Sequence, residues 1–148
     1  LKHETEVWFE VTTLLIPGYN DSGSELEKLS CWMVEQLGPE VPLHFSAFHP
    51  DWKMTNVKRT PHQTLIRARE IALANGIHHV YLGNVHDHQG SSTYCHACGQ
   101  ILIGRDWYVL SDWNLDSQGR CSNCLEPCPG HFEPTPGSWG SRRQPVQV

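Results

Sequence analysis

The sequence predicts an α/β chain in which a strand-helix-strand-helix-strand unit is followed by a small β hairpin built around a metal site. Three observations predict it. Apolar residues alternate between periods near two and near 3.6 along residues 7–83, with turn signals between the runs. Two Cys-x-x-Cys pairs, Cys95 with Cys98 and Cys121 with Cys124, stand 22 residues apart. A hydrophobic content of 39% over 148 residues is enough to fill one core.

Residues 7–16 combine β-branched and aromatic types and stop at Pro17-Gly18, which predicts a first strand. Ser22 with Glu25 forms a capping box; Leu26, Leu29, Met33 and Leu37 then recur at helical spacing until Gly38-Pro39 ends the run. Residues 41–48 read as a second strand. Thr60 with Gln63 reads as a second capping box with Pro61 at the first helical position, and that helix continues through Leu65, Ala68 and Ala72 to Asn75-Gly76. Residues 77–83 are the third strand. Short connections of this kind imply parallel pairing through right-handed crossovers, as in α/β sheets and barrels.

Parity separates the two faces of these strands. Val7, Phe9, Val11 and Leu15 share one side and Glu10 and Thr12 the other, while Leu43, Phe45 and Ala47 oppose His44 and Ser46. Helices must cover the apolar side. Because parallel sheets are normally covered on both faces, the polar side is expected to line a chamber.

Ligand sites in such folds gather at the C-terminal ends of strands. Two loops qualify, residues 16–21 and 46–54, and in the second His49 stands just past a strand and before Pro50, where an imidazole can face a ligand. His86 and His88 follow the third strand, but without a third ligand in view they read as part of a hydrogen-bonded linker.

In the last part, Cys95, Cys98, Cys121 and Cys124 have the spacing of a four-thiolate tetrahedron, with Gly99 supplying the left-handed residue after the first knuckle. Ile101-Leu102-Ile103, a turn over Gly104-Arg105-Asp106, and Trp107-Tyr108-Val109-Leu110 read as a hairpin between the knuckles. This is the pattern of a zinc ribbon. Zinc is the first reading, an iron–sulfur cluster or metal-free cysteines the others. Leu125 stands where the second knuckle calls for glycine, and Cys128 is either an alternative ligand or an unligated thiol.

Composition sets outer bounds. A formal net charge of −5 argues against a general nucleic-acid surface, no apolar run is long enough for a membrane span, and no secretory leader opens the chain, so a cytoplasmic protein is expected. The expected division is residues 1–88 as the α/β part, 89–130 as the ribbon and 131–148 as a disordered tail. The chain opens on Leu1 and runs almost at once into a strand, which reads as a truncation.

The runs EVTTLLIPGYND from Glu10 to Asp21, HFSAFHPDWKM from His44 to Met54 and YLGNV from Tyr81 to Val85, with the two knuckles, carry a resemblance. They resemble the C-terminal part of the radical S-adenosylmethionine proteins of the AmmeMemoRadiSam system, relatives of pyruvate formate-lyase activating enzyme. The resemblance covers roughly residues 5–130. It implies the C-terminal part of a partial β/α barrel holding a [4Fe–4S] cluster and S-adenosylmethionine in the full-length protein, with His49 contacting the cofactor. It also implies an activating-enzyme-like chemistry that cleaves S-adenosylmethionine to a 5′-deoxyadenosyl radical. The family's Cys-x-x-x-Cys-x-x-Cys motif is absent here, and Thr12 stands where those enzymes carry a basic residue. The expected partners are therefore the missing N-terminal barrel portion and a protein substrate or system partner, and this chain alone is expected to be inactive. The rival reading is a non-enzymatic module whose zinc ribbon grips a partner protein.

Overall fold

The computed structural model describes residues 2–138 and 140–142. The chain divides into two compact units, Leu1–Gly90 and Ser91–Val148. The first is mixed α/β, in the order β1 (Val11–Leu15), α1 (Gly23–Leu37), β2 (Leu43–Ala47), α2 (His62–Ala74) and β3 (Val80–Gly83). A four-residue helix, α3 (His88–Ser91), leads into β4 (Thr93–Tyr94), β5 (Ile101–Asp106) and β6 (Val109–Trp113) of the second unit.

The first sheet is parallel throughout, in the order β1-β2-β3, with Val11, Leu43 and Val80 in one row and Leu15 level with Ala47. Its apolar face packs on both helices. Leu15, Leu43, Phe45, Val80 and Leu82 from the strands meet Leu26 and Met33 of α1 and Leu65, Ala68 and Ala72 of α2 in one buried cluster. Each fully buried large side chain contributes about 1.5–3 kcal/mol. The alanines of α2 let the helix lie close to the sheet.

The opposite face carries Thr12, Leu14, His44, Ser46 and Tyr81, none of them buried. The expected chamber is not closed over it by the described residues: three strands have too little breadth to curl round, so in this unit the face lies open. The Glu10 carboxylate accepts from the Trp8 indole and pairs with His44 at 2.7 Å, and the His44 ring lies 5.0 Å from that of Tyr81.

Several boundaries differ from expectation. The first strand begins at Val11, not residue 7, because its partner β2 offers its first pairing residue at Leu43. The second and third strands are likewise trimmed to Leu43–Ala47 and Val80–Gly83. Helix α1 keeps both its signals: Ser22 Oγ accepts the Glu25 N–H, and Gly38 at φ 90° donates to the Met33 and Val34 carbonyls.

Helix α2 loses its predicted cap. Thr60 is 3% exposed, and its hydroxyl donates to the Leu15 carbonyl (2.5 Å) while accepting the Phe48 N–H (2.8 Å), so it latches the C-terminal ends of β1 and β2 together. Pro61 is the residue before the first helical turn, with no side-chain cap. Tertiary demand on the hydroxyl outweighs a local hydrogen bond worth about 1 kcal/mol.

In the second unit β4, β5 and β6 form an antiparallel sheet in that order. The hairpin turn lies at Trp107-Tyr108, since Asp106 pairs with Val109, and Trp107 takes φ 52°. Gly104, expected in the turn, sits inside β5 opposite a bulge where Ser111 and Asp112 both face it. A Cβ there would run into Asp112 Oδ2 and Ser111 Oγ. The short strand β4 has no alternation to announce it. Phe132 packs on Trp113 at 6.4 Å between centroids, so the packed unit passes residue 130; of the expected tail, residues 139 and 143–148 lie outside the described residues. Among the described residues no helix is long and apolar enough to cross a membrane.

Candidate metal centre

The first knuckle is the turn joining β4 to β5. Cys95 N–H donates to the Gln100 carbonyl (2.8 Å) and Gly99 N–H returns to the Cys95 carbonyl (2.9 Å), with Gly99 at φ 74°. The second repeats it: Cys121 N–H donates to Glu126 and Leu125 N–H to Cys121, both at 2.9 Å, with Leu125 at φ 65°. Asn114 joins the two. Its N–H donates to Leu102 (2.8 Å), its side-chain amide to Ile101 (2.9 Å), and its carbonyl accepts the Ser122 N–H (3.0 Å).

These turns bring the ligand atoms of Cys95, Cys98, Cys121 and Cys124 within 4.8 Å of one another. Across the knuckles, Cys95 faces Cys124 at 3.6 Å between sulfurs and Cys98 faces Cys121 at 3.7 Å. A disulfide would bring a pair to about 2.0 Å, and all six cysteines are free. A tetrahedron with metal–sulfur bonds of about 2.3 Å has edges of about 3.8 Å. The four-cysteine group can therefore hold a single metal ion. A [4Fe–4S] cluster, in which each thiolate reaches its own iron, needs the sulfurs further apart.

The electrostatics of the four thiols suit a cation among them. Cys98, with the Asn123 amide donating to its sulfur and then the Gln100 N–H behind it, is pulled down to about 6. Cys124, although the Glu126 N–H favours its charge, is pushed up to about 12, first by the neighbouring Cys98 thiol and then by partial desolvation. Burial also pushes the Cys95 thiol up. Four thiols this close cannot all ionise unless a cation neutralises them. Cys95 and Cys121 are buried, Cys98 and Cys124 exposed, so the group is half-sunk in the core formed with Leu102, Ile103 and Leu115.

Two supporting contacts were not legible beforehand. Asn123 lies between the cysteines of one knuckle and serves a sulfur of the other; His96 Nε2 reaches Glu126 Oε1 at 3.4 Å across the same gap. A polar residue inside a Cys-x-x-Cys pair is the signal that would have found the first. Cys128 is outside the group: it is 8% exposed, packed in the core, and burial pushes its thiol up to about 11. Cys31 is exposed on α1, its sulfur donating to Asn75 Oδ1 at 3.2 Å.

The residues of the first unit fall elsewhere. His49 is exposed just past β2, with Nδ1 2.9 Å from the Pro50 carbonyl. His86 and His88 join no metal-binding group among the described residues. Asp87 between them accepts from His62 Nε2 and the Gly90 N–H, each at 2.7 Å.

No family model matches this chain, and no solved structure matches it. The chain is 46% identical over 121 residues to the uncharacterized protein MJ0808 of Methanocaldococcus jannaschii; the match covers 81% of this chain and spans only 36% of that relative's length.

Proposed function

We propose that Cys95, Cys98, Cys121 and Cys124 hold one zinc ion as the structural centre of a zinc ribbon, and that residues 1–88 are part of the wall of a radical S-adenosylmethionine barrel of the AmmeMemoRadiSam kind. The observation that carries the first half is the four-sulfur group, with its 3.6 and 3.7 Å cross-knuckle separations. Zinc supplies the charge that lets four thiolates coexist and ties the knuckles together. Saturated by sulfur, it has no open position for a substrate, so its role is folding.

The barrel reading is supported by the sequential strand order β1-β2-β3, with both helices on one face. A doubly wound sheet reverses its order and covers both faces, whereas a barrel wall keeps winding in one direction. In this reading the open face with Thr12, His44 and Ser46 turns inward, and His49 at the C-terminal end of β2 contacts S-adenosylmethionine. The [4Fe–4S] cluster does not fit the residues of this chain. Cys31 is alone on its helix, and the knuckle sulfurs are spaced for one ion. The cluster then belongs to an N-terminal barrel portion, which is the partner this wall requires.

A rival reading is favoured by a different observation: Trp107, Tyr108 and Val109 at the hairpin tip are each at least 50% exposed, as in a module that grips a partner protein. Binding and turnover separate the two. Supplied with iron, sulfide and reductant, the chain alone should release no 5′-deoxyadenosine. Joined to an N-terminal portion bearing Cys-x-x-x-Cys-x-x-Cys, it should, with His49→Ala weakening S-adenosylmethionine binding. An intact protein that neither binds nor cleaves S-adenosylmethionine would leave the interaction module.

A further inference from the structure

At the C-terminal edge of the first sheet lies a cavity of about 420 Å³, lined by Arg59, Thr60, Pro61, His62, Val85 and His86. That volume lies in the range of small-molecule pockets, roughly 300–1,000 Å³. Its position is the one at which parallel sheets take ligands, beside the ends of β1 and β2 that Thr60 latches and just after β3. Three of the six lining residues are basic and none is a carboxylate.

The nearest acid in sequence is already engaged. Asp87 accepts hydrogen bonds from His62 Nε2 and the Gly90 N–H, which fixes the imidazole and leaves Nδ1 as the nitrogen that donates to an anion when the ring carries both protons. Arg59 is anchored through one Nη2 bond to the Asn84 carbonyl at 3.2 Å, a fraction of its five donors. Beside these side chains α2 begins without a side-chain cap and with no acidic residue in its first turn, because Thr60 is committed to the sheet. Its first N–H groups add to the donors on this wall.

We propose that this cavity binds the phosphoryl group of a phosphorylated small molecule, held by Arg59, His62 and His86. A carboxylate offers two oxygens and one charge. A phosphate monoester offers three oxygens and a charge of about −1.5 to −2, which suits a guanidinium, two imidazoles and backbone donors on one wall. The proposal requires neither the zinc nor the S-adenosylmethionine reading.

The test is a titration of the ¹⁵N-labelled full chain, followed by amide and imidazole shifts, with inorganic phosphate, phenyl phosphate and acetate at matched ionic strength. Saturable shifts confined to residues 59–64 and 84–87 are expected, with acetate weaker by about tenfold or more. Phenyl phosphate binding more tightly than inorganic phosphate identifies an organic phosphate as the ligand; equal affinity supports the phosphoryl site with free phosphate as its source. Arg59→Gln and His86→Gln, both at exposed positions, should each weaken phosphate by about tenfold while leaving the remaining resonances in place. Shifts that do not saturate, that acetate reproduces, or that both variants leave unchanged would overturn the assignment.

Discussion

Gly99 and Leu125 occupy the same station in two equivalent turns: each stands four residues after the first cysteine of its pair, each donates its N–H to that cysteine's carbonyl at 2.9 Å, and each has a left-handed backbone, at φ 74° and 65°. Only the glycine adopts that conformation without cost; for a residue with a Cβ it amounts to about 1–2 kcal/mol. Leu125 is 58% exposed, so little packing offsets the strain. Leu125→Gly should raise the stability of the metal-loaded second unit by up to about 1 kcal/mol, after the added backbone freedom of glycine is set against the relief. Gly99→Leu should lower it by about 1–2 kcal/mol. Thermal melts of the two variants check both signs.

Cys128 should be dispensable for metal. It is buried beside the centre, but its thiol is pushed up to about 11 and it belongs to the core, not to the four-sulfur group. Cys128→Ser should keep full metal occupancy at neutral pH with a modest loss of stability, whereas Cys124→Ser should lose most of the metal. Occupancy measured after gel filtration distinguishes them; loss of metal from the Cys128 variant would make it a ligand.

The Thr60 latch predicts a larger effect than a helix cap would give. Thr60→Val leaves the Leu15 carbonyl and the Phe48 N–H without their partner in a buried place, at roughly 1–3 kcal/mol each. Thr60→Ser keeps the hydroxyl and should cost under about 1 kcal/mol. Urea unfolding of the first unit should therefore show a loss of about 2–6 kcal/mol for valine, against about 1 kcal/mol if the hydroxyl merely capped α2.

That residue also shows where sequence reading succeeds and stops. Ser22, Glu25 and Gly38 bound α1 because their partners are a few residues away, and the paired cysteines announce their group because each pair closes on itself. Thr60 carries the same local signal as Ser22, but its partners are 45 and 12 residues distant, at the ends of two strands whose closeness only the fold creates. Gly104 was misread for the same reason: a glycine signals backbone freedom or close approach, and here the approach comes from Ser111 and Asp112 across the bulge. Residues 7–10 have strand composition but precede the first row of the sheet, where Val11 pairs with Leu43. The cavity beside α2 depends on Arg59 and His62 from one segment and His86 from another that the fold brings beside it, so no spacing announced it.

Asp87 sets an acid limit for the first unit. Burial raises its pKa, yet the Gly90 N–H and His62 outweigh that and hold it below its ordinary 3.8. The unfolded chain therefore binds the proton more readily than the folded one. The stabilisation is complete above the ordinary value and is lost as pH falls through the lowered one. Asp87→Asn should cost roughly 1–2 kcal/mol at neutral pH, with the difference from the parent shrinking below pH 3.8. Urea midpoints of parent and variant across pH test this.

The most direct test of the account is the metal content of the purified chain, read by mass spectrometry of the native protein and by elemental analysis together with the state of the second unit. One zinc per chain is expected, bound through Cys95, Cys98, Cys121 and Cys124. Chelation should unfold the second unit, because structural zinc in such small units supplies on the order of 10–16 kcal/mol, and should leave the parallel sheet and its helices intact. Iron in place of zinc, or a second unit that survives without any metal, would contradict it.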